Sequence, residues 1–194
     1  MIANSMFLRI ILISCIIYSF STVSKGQDYR HSLQFGYLNA KQAETFVNNT
    51  FFSTTTTELG VVGIRYNAIL AFQLKPRVSW TIKSCPYFGL SRNKLSGNFQ
   101  TGMEFPLTTE FYLGGIDNTS FIFGGGFSCY QVGYKSNRIS GYGPKLVGGL
   151  QVQLSDNFML GLTFGYTFGL VQNPSIINEK RMYTIGIFCN LPTN

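Results

Sequence analysis

Residues 99–113 read FQTGMEFPLTTEFYL, and the alternation of side chains in this stretch decides the fold class. Large apolar residues dominate one set of alternate positions, whereas the other set carries small and polar residues together with Glu104 and Glu110. A period of two is typical of a β-strand with two different faces. An apolar face opposite a polar, charged one predicts a strand of a membrane barrel, with lipid outside and a polar lumen inside. Pro106 lacks a backbone N–H and predicts an irregular position in this strand.

Seven further segments show the same alternation. The cleanest is 160–168, where large apolar residues occupy the even positions and glycine and threonine occupy the odd ones. Side chains are predicted to face lipid at Leu33, Phe35 and Tyr37, at Val62, Ile64 and Tyr66, at Val78, Trp80 and Ile82, at Phe121, Phe123 and Phe127, at Leu146, Leu150 and Val152, at Leu160, Leu162, Phe164, Tyr166 and Phe168, and at Tyr183, Ile185, Ile187 and Leu191.

The connections between these segments alternate in length. Tight connections are predicted at residues 73–75, 114–119 and 155–157, and long polar loops at residues 39–58, 84–97, 131–143 and 169–180. Short turns on one side and long loops on the other are typical of a membrane-spanning antiparallel barrel with an even number of strands. We therefore predict an all-β fold over residues 27–194, an eight-stranded antiparallel up-and-down transmembrane β-barrel.

The first 26 residues are predicted to be a signal peptide. A short segment with one basic side chain precedes the apolar core 10–20, and Ser24 and Gly26 supply the small residues that favour cleavage after Gly26. The apolar core is too short to span a bilayer as a helix. Residues 12–15, LISC, match a lipoprotein cleavage box, but the apolar stretch continues past Cys15, which favours an ordinary signal peptide.

Composition narrows the function classes. Charged residues make up 12% of the chain and hydrophobic ones 45%, which is low in charge for a soluble protein. The net charge is +7, but the basic residues are scattered and no run of Lys or Arg exceeds two residues. Nucleic-acid binding is therefore not expected.

Strand parity places five ions in the lumen. They are Arg65, Arg77, Lys83, Glu104 and Glu110. One antiparallel register pairs Arg77 with Glu110 and Lys83 with Glu104, and the preceding hairpin brings Arg65 beside Lys83. Side chains just fill an eight-stranded lumen, and buried charges persist only when paired. We predict a structural ion network, with a polar filter or binding site as the alternative.

Candidate reactive residues do not assemble into a site. His31 and Ser32 would be base and nucleophile, with Glu44 or Glu58 as the orienting acid, but neighbours on a strand point to opposite faces. No cluster has the spacing of a metal site, and the triple glycine 124–126 lacks the helix of a phosphate loop. No catalytic, metal or cofactor site is predicted, and the chain is not expected to be an enzyme.

Three cysteines follow the predicted cleavage site. Their number is odd and their spacing fits no zinc pattern. A disulfide between Cys85 and Cys129 is conceivable because both lie toward the same end of the barrel, but parity puts them on opposite faces. Cys85, Cys129 and Cys189 are therefore interpreted as small apolar residues.

From about Tyr29 to Leu191 the chain resembles the outer-membrane β-barrel family of small OmpA/OmpX-like porin-fold proteins. The resemblance is carried by the segments 59–66 (LGVVGIRY), 104–111 (EFPLTTEF) with Gly114, 123–127 (FGGGF), 143–145 (GPK) and 164–167 (FGYT). It implies the outer membrane of a Gram-negative-type cell, insertion by the barrel-assembly machinery, and outer-membrane lipids as surroundings. Many members end in an aromatic residue, whereas the last aromatic residue here is Phe188, at an inward position.

The function that these observations favour is an integral outer-membrane barrel with a structural or surface-interaction role, such as adhesion or ligand contact. The long external loop 40–57 would carry the contact, and the protein would be a monomer. One alternative is a membrane-embedded lipid-modifying enzyme on the same barrel. Another is a soluble lipocalin-like binder of small ligands, which needs apolar side chains inside. A passive pore needs a wider lumen than eight strands provide.

Overall fold

The computed structural model describes residues 27–48, 51–92, 97–134, 137–155, 158–169 and 177–190. The predicted signal peptide lies outside these ranges. The described chain is almost entirely β-strand: β1 Gln27–Asn48, β2 Phe51–Lys75, β3 Val78–Ser84, β4 Tyr87–Arg92, β5 Phe99–Leu113, β6 Ser120–Tyr134, β7 Asn137–Ser155, β8 Phe158–Gly169 and β9 Ile177–Asn190. No helix in this part of the chain is long and apolar enough to cross a membrane.

The strands close into a ring in which neighbours are antiparallel. Chain order is kept from β5 through β9, β9 pairs with β1, and β1 pairs with β2. Between β2 and β5, the short strands β3 and β4 share one place, because both pair with β2 on one side and with β5 on the other. The ring thus has eight positions. The predicted fold class, an eight-stranded antiparallel barrel, is confirmed.

The shared position is interrupted at Cys85 and Pro86. Pro86 and the facing Pro106 on β5 both lack an N–H donor, so a regular ladder cannot continue between them. Backbone bonds from Cys85 N to the Pro106 oxygen (3.4 Å) and from Tyr66 N to the Pro86 oxygen (3.2 Å) hold the two halves in line. Pro106 itself pairs with Ser128 on β6 without a register shift, so the irregularity predicted from Pro106 lies on the facing strand.

The two faces of the strands are those that the alternation predicts. Phe35, Phe164 and Ile187 are each more than half exposed on the outside, whereas Glu104 and Thr167 are fully buried inside. A lipocalin-like binder would show the opposite polarity. The prediction of lipid-facing apolar side chains around a polar lumen is confirmed at the described positions.

A row of glycines crosses the inner wall. Direct cross-strand pairing links Gly186, Gly36, Gly63, Gly89 and Gly102, which lie on five neighbouring strands, β9, β1, β2, β4 and β5. A Cβ atom at Gly63 would overlap backbone atoms of β4, and one at Gly36 would overlap backbone atoms of β9. At Gly36 and Gly63 the neighbouring backbones therefore approach each other more closely than any other residue type permits, whereas the other three glycines of the row leave room for nearby side chains.

The turn between β2 and β3 lies at Pro76 and Arg77. The prediction of this turn at residues 73–75 is wrong. Proline suits a turn and cannot donate to a ladder, so β2 continues to Lys75 before the chain reverses. The tight connection predicted at residues 114–119 is confirmed, since it separates β5 from β6 without overlap.

The predicted register of β3 is also wrong. Arg65 lies opposite Tyr87 rather than Lys83, and Lys83 lies opposite Thr108 rather than Glu104. Each observed partner lies four residues from the predicted one. An even shift leaves every side chain on the face predicted for it, because the strand period is two.

The long loops predicted at residues 39–58 and 84–97 are largely strands. β1 and β2 stay paired from Gln27 and Phe72 to Asn48 and Phe51, and β4 occupies part of the second segment. Likewise β6 extends to Tyr134 and β7 begins at Asn137, inside the predicted loop 131–143. Much of the loop predicted at 169–180, and part of the turn predicted at 155–157, lie outside the described residues.

Candidate functional site

Glu104 lies at the centre of an ion network inside the barrel. Its side chain is fully buried and forms ion pairs with Arg65 of β2 and Lys145 of β7. The Ser128 hydroxyl donates to the Glu104 Oε1 atom at 2.8 Å, and the Arg65 guanidinium lies 5.6 Å from the centre of the Tyr87 ring. The inward parity of five different strands brings these groups together.

Glu110 forms the second part of the network, six residues further along the same face of β5. The Lys83 Nζ atom lies 3.3 Å from the Glu110 Oε2 atom. Thr108 donates to Oε1 at 3.0 Å, and the Tyr112 hydroxyl donates to Oε2 at 3.2 Å. Both carboxylates therefore accept several hydrogen bonds, which is the condition under which a buried charge is tolerated.

The structure brings four of the five predicted ions together but exchanges their partners. Glu104 pairs with Arg65, and Glu110 pairs with Lys83. Arg77 is exposed in the turn before β3, and its backbone oxygen accepts a hydrogen bond from Gly114 N at 2.8 Å. The prediction that Arg77 belongs to the network is wrong. It places Arg77 within β3, whereas β3 begins at Val78.

Lys145 is the ion that sequence reasoning left out. Its position on the inward face of β7 follows from the alternation around Lys145, Gly149 and Gln151. The predicted ion pairs involve only residues of β2, β3 and β5. Lys145 lies on β7 and reaches Glu104 from across the lumen. A complete parity list of charged residues would have found it.

Apolar layers close the lumen on both sides of the ions. Toward the end where β1 and β2 protrude, the buried cluster comprises Leu38, Ala40, Leu59, Val61, Tyr87, Tyr130, Val132, Ile139 and Met182. Toward the short turns it comprises Ile69, Ala71, Tyr112, Ile116, Ile122 and Phe188. The Tyr87 hydroxyl lies 3.0 Å from the backbone oxygens of both Gly36 on β1 and Val61 on β2 and shares its one proton between them, which ties β4 to two neighbouring strands. The interior is a packed core with ions in its middle.

Residues 41–48 and 51–58 form the two paired strands of a protruding β-hairpin, here termed the rim hairpin. β1 remains paired with β9 as far as Thr45, whereas the pairing of β2 with β4 ends at Val62. Thr54, Thr55 and Thr56 are exposed on this hairpin. The side chains of residues 45–48 and 51–53 lie outside the described part. The rim hairpin contains the segment 41–57 of the loop for which ligand contact was predicted.

From the base of the rim hairpin downward, the outer wall shows three successive rows across β2, β1, β9 and β8. The upper row is Glu58, Lys41 and Arg181, the middle row is Gly60, Asn39, Tyr183 and Tyr166, and the lower row is Val62, Tyr37, Ile185 and Phe164. Charged, then amphipathic, then apolar residues follow the polarity gradient from the head groups into the bilayer. A groove of about 260 Å³, here termed the outer groove, is lined by Glu58 of the upper row, by Asn39 and Tyr183 of the middle row, and by Tyr37, Ile185 and Phe164 of the lower row.

The absence of a side chain at Gly60 shapes the outer groove. A Cβ atom there would overlap the Tyr37 hydroxyl, so Tyr37 tilts over Gly60. Asn39 Nδ2 donates to Glu58 Oε1 at 2.8 Å and to the Tyr37 hydroxyl at 3.2 Å. A carboxylate only accepts, which fixes the amide orientation. Asn39 is 9% exposed, and its Oδ1 has no hydrogen-bond partner among the described residues, a defect that costs about 1–3 kcal/mol when left unsatisfied.

His31 and Ser32 occupy opposite faces. The Nδ1 atom of His31 is hydrogen-bonded to the Tyr66 hydroxyl on the outside, whereas Ser32 is buried and accepts from Asn67 Nδ2 at 2.7 Å. Cys85 is buried and Cys129 lies on the outer face, and all three described cysteines are free. Among the described residues no group of three potential metal ligands occurs.

Comparison with known proteins identifies the fold. No family model and no curated protein matches the sequence. Neisserial surface protein A matches in structure with a TM-score of 0.50 at 9% identity, over 87% of this chain and 100% of that one. The outer membrane protein OprG from Pseudomonas aeruginosa gives 0.48 at 10% identity, over 84% and 97%. The N-terminal barrel domain of OprF from the same organism gives 0.45 at 13%, over 84% and 100%.

The ring of eight antiparallel strands, the outward apolar side chains and the likeness to the neisserial barrel define the class. The protein is an eight-stranded transmembrane β-barrel. Its fold is that of the small OmpA/OmpX-like outer-membrane barrels, as the sequence resemblance implies.

Proposed function

We propose that this protein is an integral barrel of the outer membrane of a Gram-negative-type cell and that it presents the rim hairpin at the cell surface for contact with a ligand or another surface. One observation carries the proposal: large exposed apolar side chains surround a wall whose interior holds paired ions. An apolar outer surface around a charged interior is unfavourable in water, whereas a lipid bilayer requires it.

The packed lumen supports an anchoring role over transport. Ion pairs and two apolar layers occupy the space through which a solute would pass. The rim hairpin is then the part of the described chain that extends furthest from the barrel, and its exposed threonines offer hydroxyl groups for recognition. Surface position rather than lumen chemistry is the basis of the proposed role.

Export and insertion complete the proposal. Residues 1–26 are proposed to act as a cleaved signal peptide, and the barrel-assembly machinery is proposed to insert the remaining chain as a monomer among outer-membrane lipids. The basis is the sequence pattern of the first segment and the closed-barrel fold.

Labelling of single-cysteine additions in intact cells tests both the location and the orientation. Thr55→Cys lies on the rim hairpin and Asn118→Cys lies in the turn between β5 and β6, and both positions are exposed. A membrane-impermeant maleimide should label Thr55→Cys in intact cells, and Asn118→Cys only after the outer membrane is permeabilised. The unsubstituted chain supplies the background from its own cysteines.

The opposite labelling pattern would reverse the orientation and remove the surface role. Recovery of the unsubstituted chain in the soluble fraction, instead of the outer-membrane fraction, would refute membrane integration altogether.

A further inference from the structure

We propose that the outer groove binds a long-chain primary amine, that is, an amphiphile whose ammonium group is bonded directly to its alkyl chain. The inference rests on the proposed function, since it requires this wall to face a lipid bilayer near the level of the head groups. It assigns a defined ligand site to a surface that the anchoring role uses only for general apolar contact.

An acidic side chain stands at the upper end of the outer groove. Glu58 is exposed and lines the groove. Its Oε1 atom accepts a hydrogen bond from Asn39 Nδ2 at 2.8 Å, which orients the acid and leaves the Oε2 atom for a ligand. None of the described ion pairs includes Glu58. The groove therefore offers a carboxylate that a cationic ligand can neutralise.

The described residues that line the groove carry no positive charge. Besides Glu58 they are Tyr37, Asn39, Phe164, Tyr183, Thr184 and Ile185. Lys41 is the direct cross-strand partner of Glu58, but it does not line the groove. A phospholipid carries its phosphate between the head-group ammonium and the tails, and would place that phosphate against residues that cannot neutralise it. An amine without a phosphate avoids this mismatch.

The middle of the groove favours a head group that donates hydrogen bonds. Asn39 is 9% exposed, and its Oδ1 atom has no hydrogen-bond partner among the described residues. Tyr37 and Tyr183 line the groove beside it, and a tyrosine attracts cations through its ring face and its hydroxyl oxygen. A primary ammonium combines a positive charge with several N–H donors, and so suits both the carboxylate and the amide oxygen. A trimethylammonium has the charge but no donor.

The lower end of the groove accommodates the alkyl chain. Phe164 is 51% exposed and Ile185 is 47% exposed, and they are direct cross-strand partners. Below them, Phe35 and Ile187 continue the apolar wall into the bilayer. The lower row lies four residues along β2 from Glu58, a distance of about 13 Å. The order of carboxylate, amide and apolar residues thus matches an ammonium joined directly to its tail.

Native mass spectrometry of the folded barrel in polyoxyethylene micelles tests the proposal. Dodecylamine, dodecyltrimethylammonium, dodecanol and dodecanoate share one alkyl chain and are added separately at the same low concentration. We expect one dodecylamine to be retained about tenfold more than dodecyltrimethylammonium or dodecanol, since hydrogen bonds to a charged group contribute an affinity of that order. Dodecanoate should be retained least because Glu58 repels it, and butylamine should not be retained because it lacks the chain.

Three variants separate the contributions of the head and the tail. Glu58→Gln should abolish the preference for dodecylamine. Glu44→Gln is the matched control, because it removes the same charge from the same hairpin at a position of inward parity, where Glu44 accepts a hydrogen bond from Gln42; the preference should remain. Phe164→Ala should lower the retention of dodecylamine and of dodecanol by the same factor, since both lose the same contact with the chain.

Equal retention of dodecylamine and dodecyltrimethylammonium, a preference for dodecanoate, or a dodecylamine preference that survives Glu58→Gln would overturn the proposal. Heat-modifiable gel mobility of the same sample reports the folded barrel independently. A folded barrel without a preference among these ligands refutes the amine site alone, whereas a chain that needs no detergent to stay in solution refutes the proposed membrane function.

Discussion

Individual charged residues inside the barrel depend on each other for their stability. Glu104 balances two cations, Arg65 and Lys145. Among the described ion pairs, neither cation is paired with another carboxylate. In a packed lumen, water cannot replace a missing partner. The cost of losing one partner is therefore that of an unpaired buried charge.

Glu104→Gln should destabilise the folded barrel by roughly 3–5 kcal/mol. The amide keeps the volume and can still accept one hydrogen bond, but it leaves Arg65 and Lys145 without a counter-charge. Urea unfolding of the barrel in micelles, followed by tryptophan fluorescence or gel mobility, measures the loss. A change near zero would mean that this side chain is solvated.

Arg77→Gln is the control for the same measurement. Arg77 is exposed in its turn, and its one recorded bond uses the backbone. The free energy of unfolding should change by less than about 0.5 kcal/mol. A large loss would restore Arg77 to the network from which the structure removes it.

The sequence predicts the inward ions better than it predicts their pairing. Parity alone places Arg65, Lys83, Glu104 and Glu110 inside, because the period of a strand does not depend on register. Pairing requires the location of the turn, and the charges were used to locate it. The observed cross-strand partners of Arg65 and Lys83 each lie four residues from the predicted ones, so the pairs change while the faces remain.

Strands in this barrel extend further than their polarity suggests. The threonine run 54–57 and the segment 131–143 were interpreted as loops because they are polar. Threonine is β-branched and is a favourable strand residue, and the structure continues β2 through the run. Polarity marks where a strand leaves the lipid, whereas it does not mark where the strand ends.

Gly63→Ala should test the close approach of strands along the glycine row. An added Cβ would overlap the backbone at Phe88 and Gly89, which cannot move aside as a flexible side chain could. We expect a loss of about 1–3 kcal/mol in the free energy of unfolding, typical of an overfilled interior. Refolding yield and urea unfolding both report it.

Gly148→Ala provides the comparison, because a Cβ atom at Gly148 meets no atom within 4 Å. Its stability should stay within about 0.5 kcal/mol of the unsubstituted chain. Equal effects of the two substitutions would mean that strand entropy, and not close approach, governs these positions.

At the scale of the whole molecule, the barrel is a filled cylinder. The ions form its middle layer, and the buried clusters around Tyr87 and Tyr112 close it above and below. Such a filling follows from the narrowness of an eight-stranded ring. The sequence predicts it from strand number, although the outer groove could not be predicted because it depends on how Tyr37 tilts over Gly60.

The folded protein should produce no stepwise conductance in a planar lipid bilayer. The apolar layers exclude water from the ion network on both sides, so ions have no continuous path. Single-channel recording of the reconstituted barrel measures this directly, with a wide porin as the positive control. Regular current steps would show that the packed interior opens.

The glycine row has a consequence for how the ends of the chain meet. When β3 and β4 are counted as the one position that they share, every other neighbour contact in the ring joins successive positions along the chain, whereas the contact between β1 and β9 joins the first strand to the last. Gly36 and Gly186 face each other in that contact. The contact that closes the cylinder can therefore form at this level without side chains between the two backbones. A methyl group at Gly36 would overlap β9, and so would hinder closure of the cylinder while leaving each local hairpin intact.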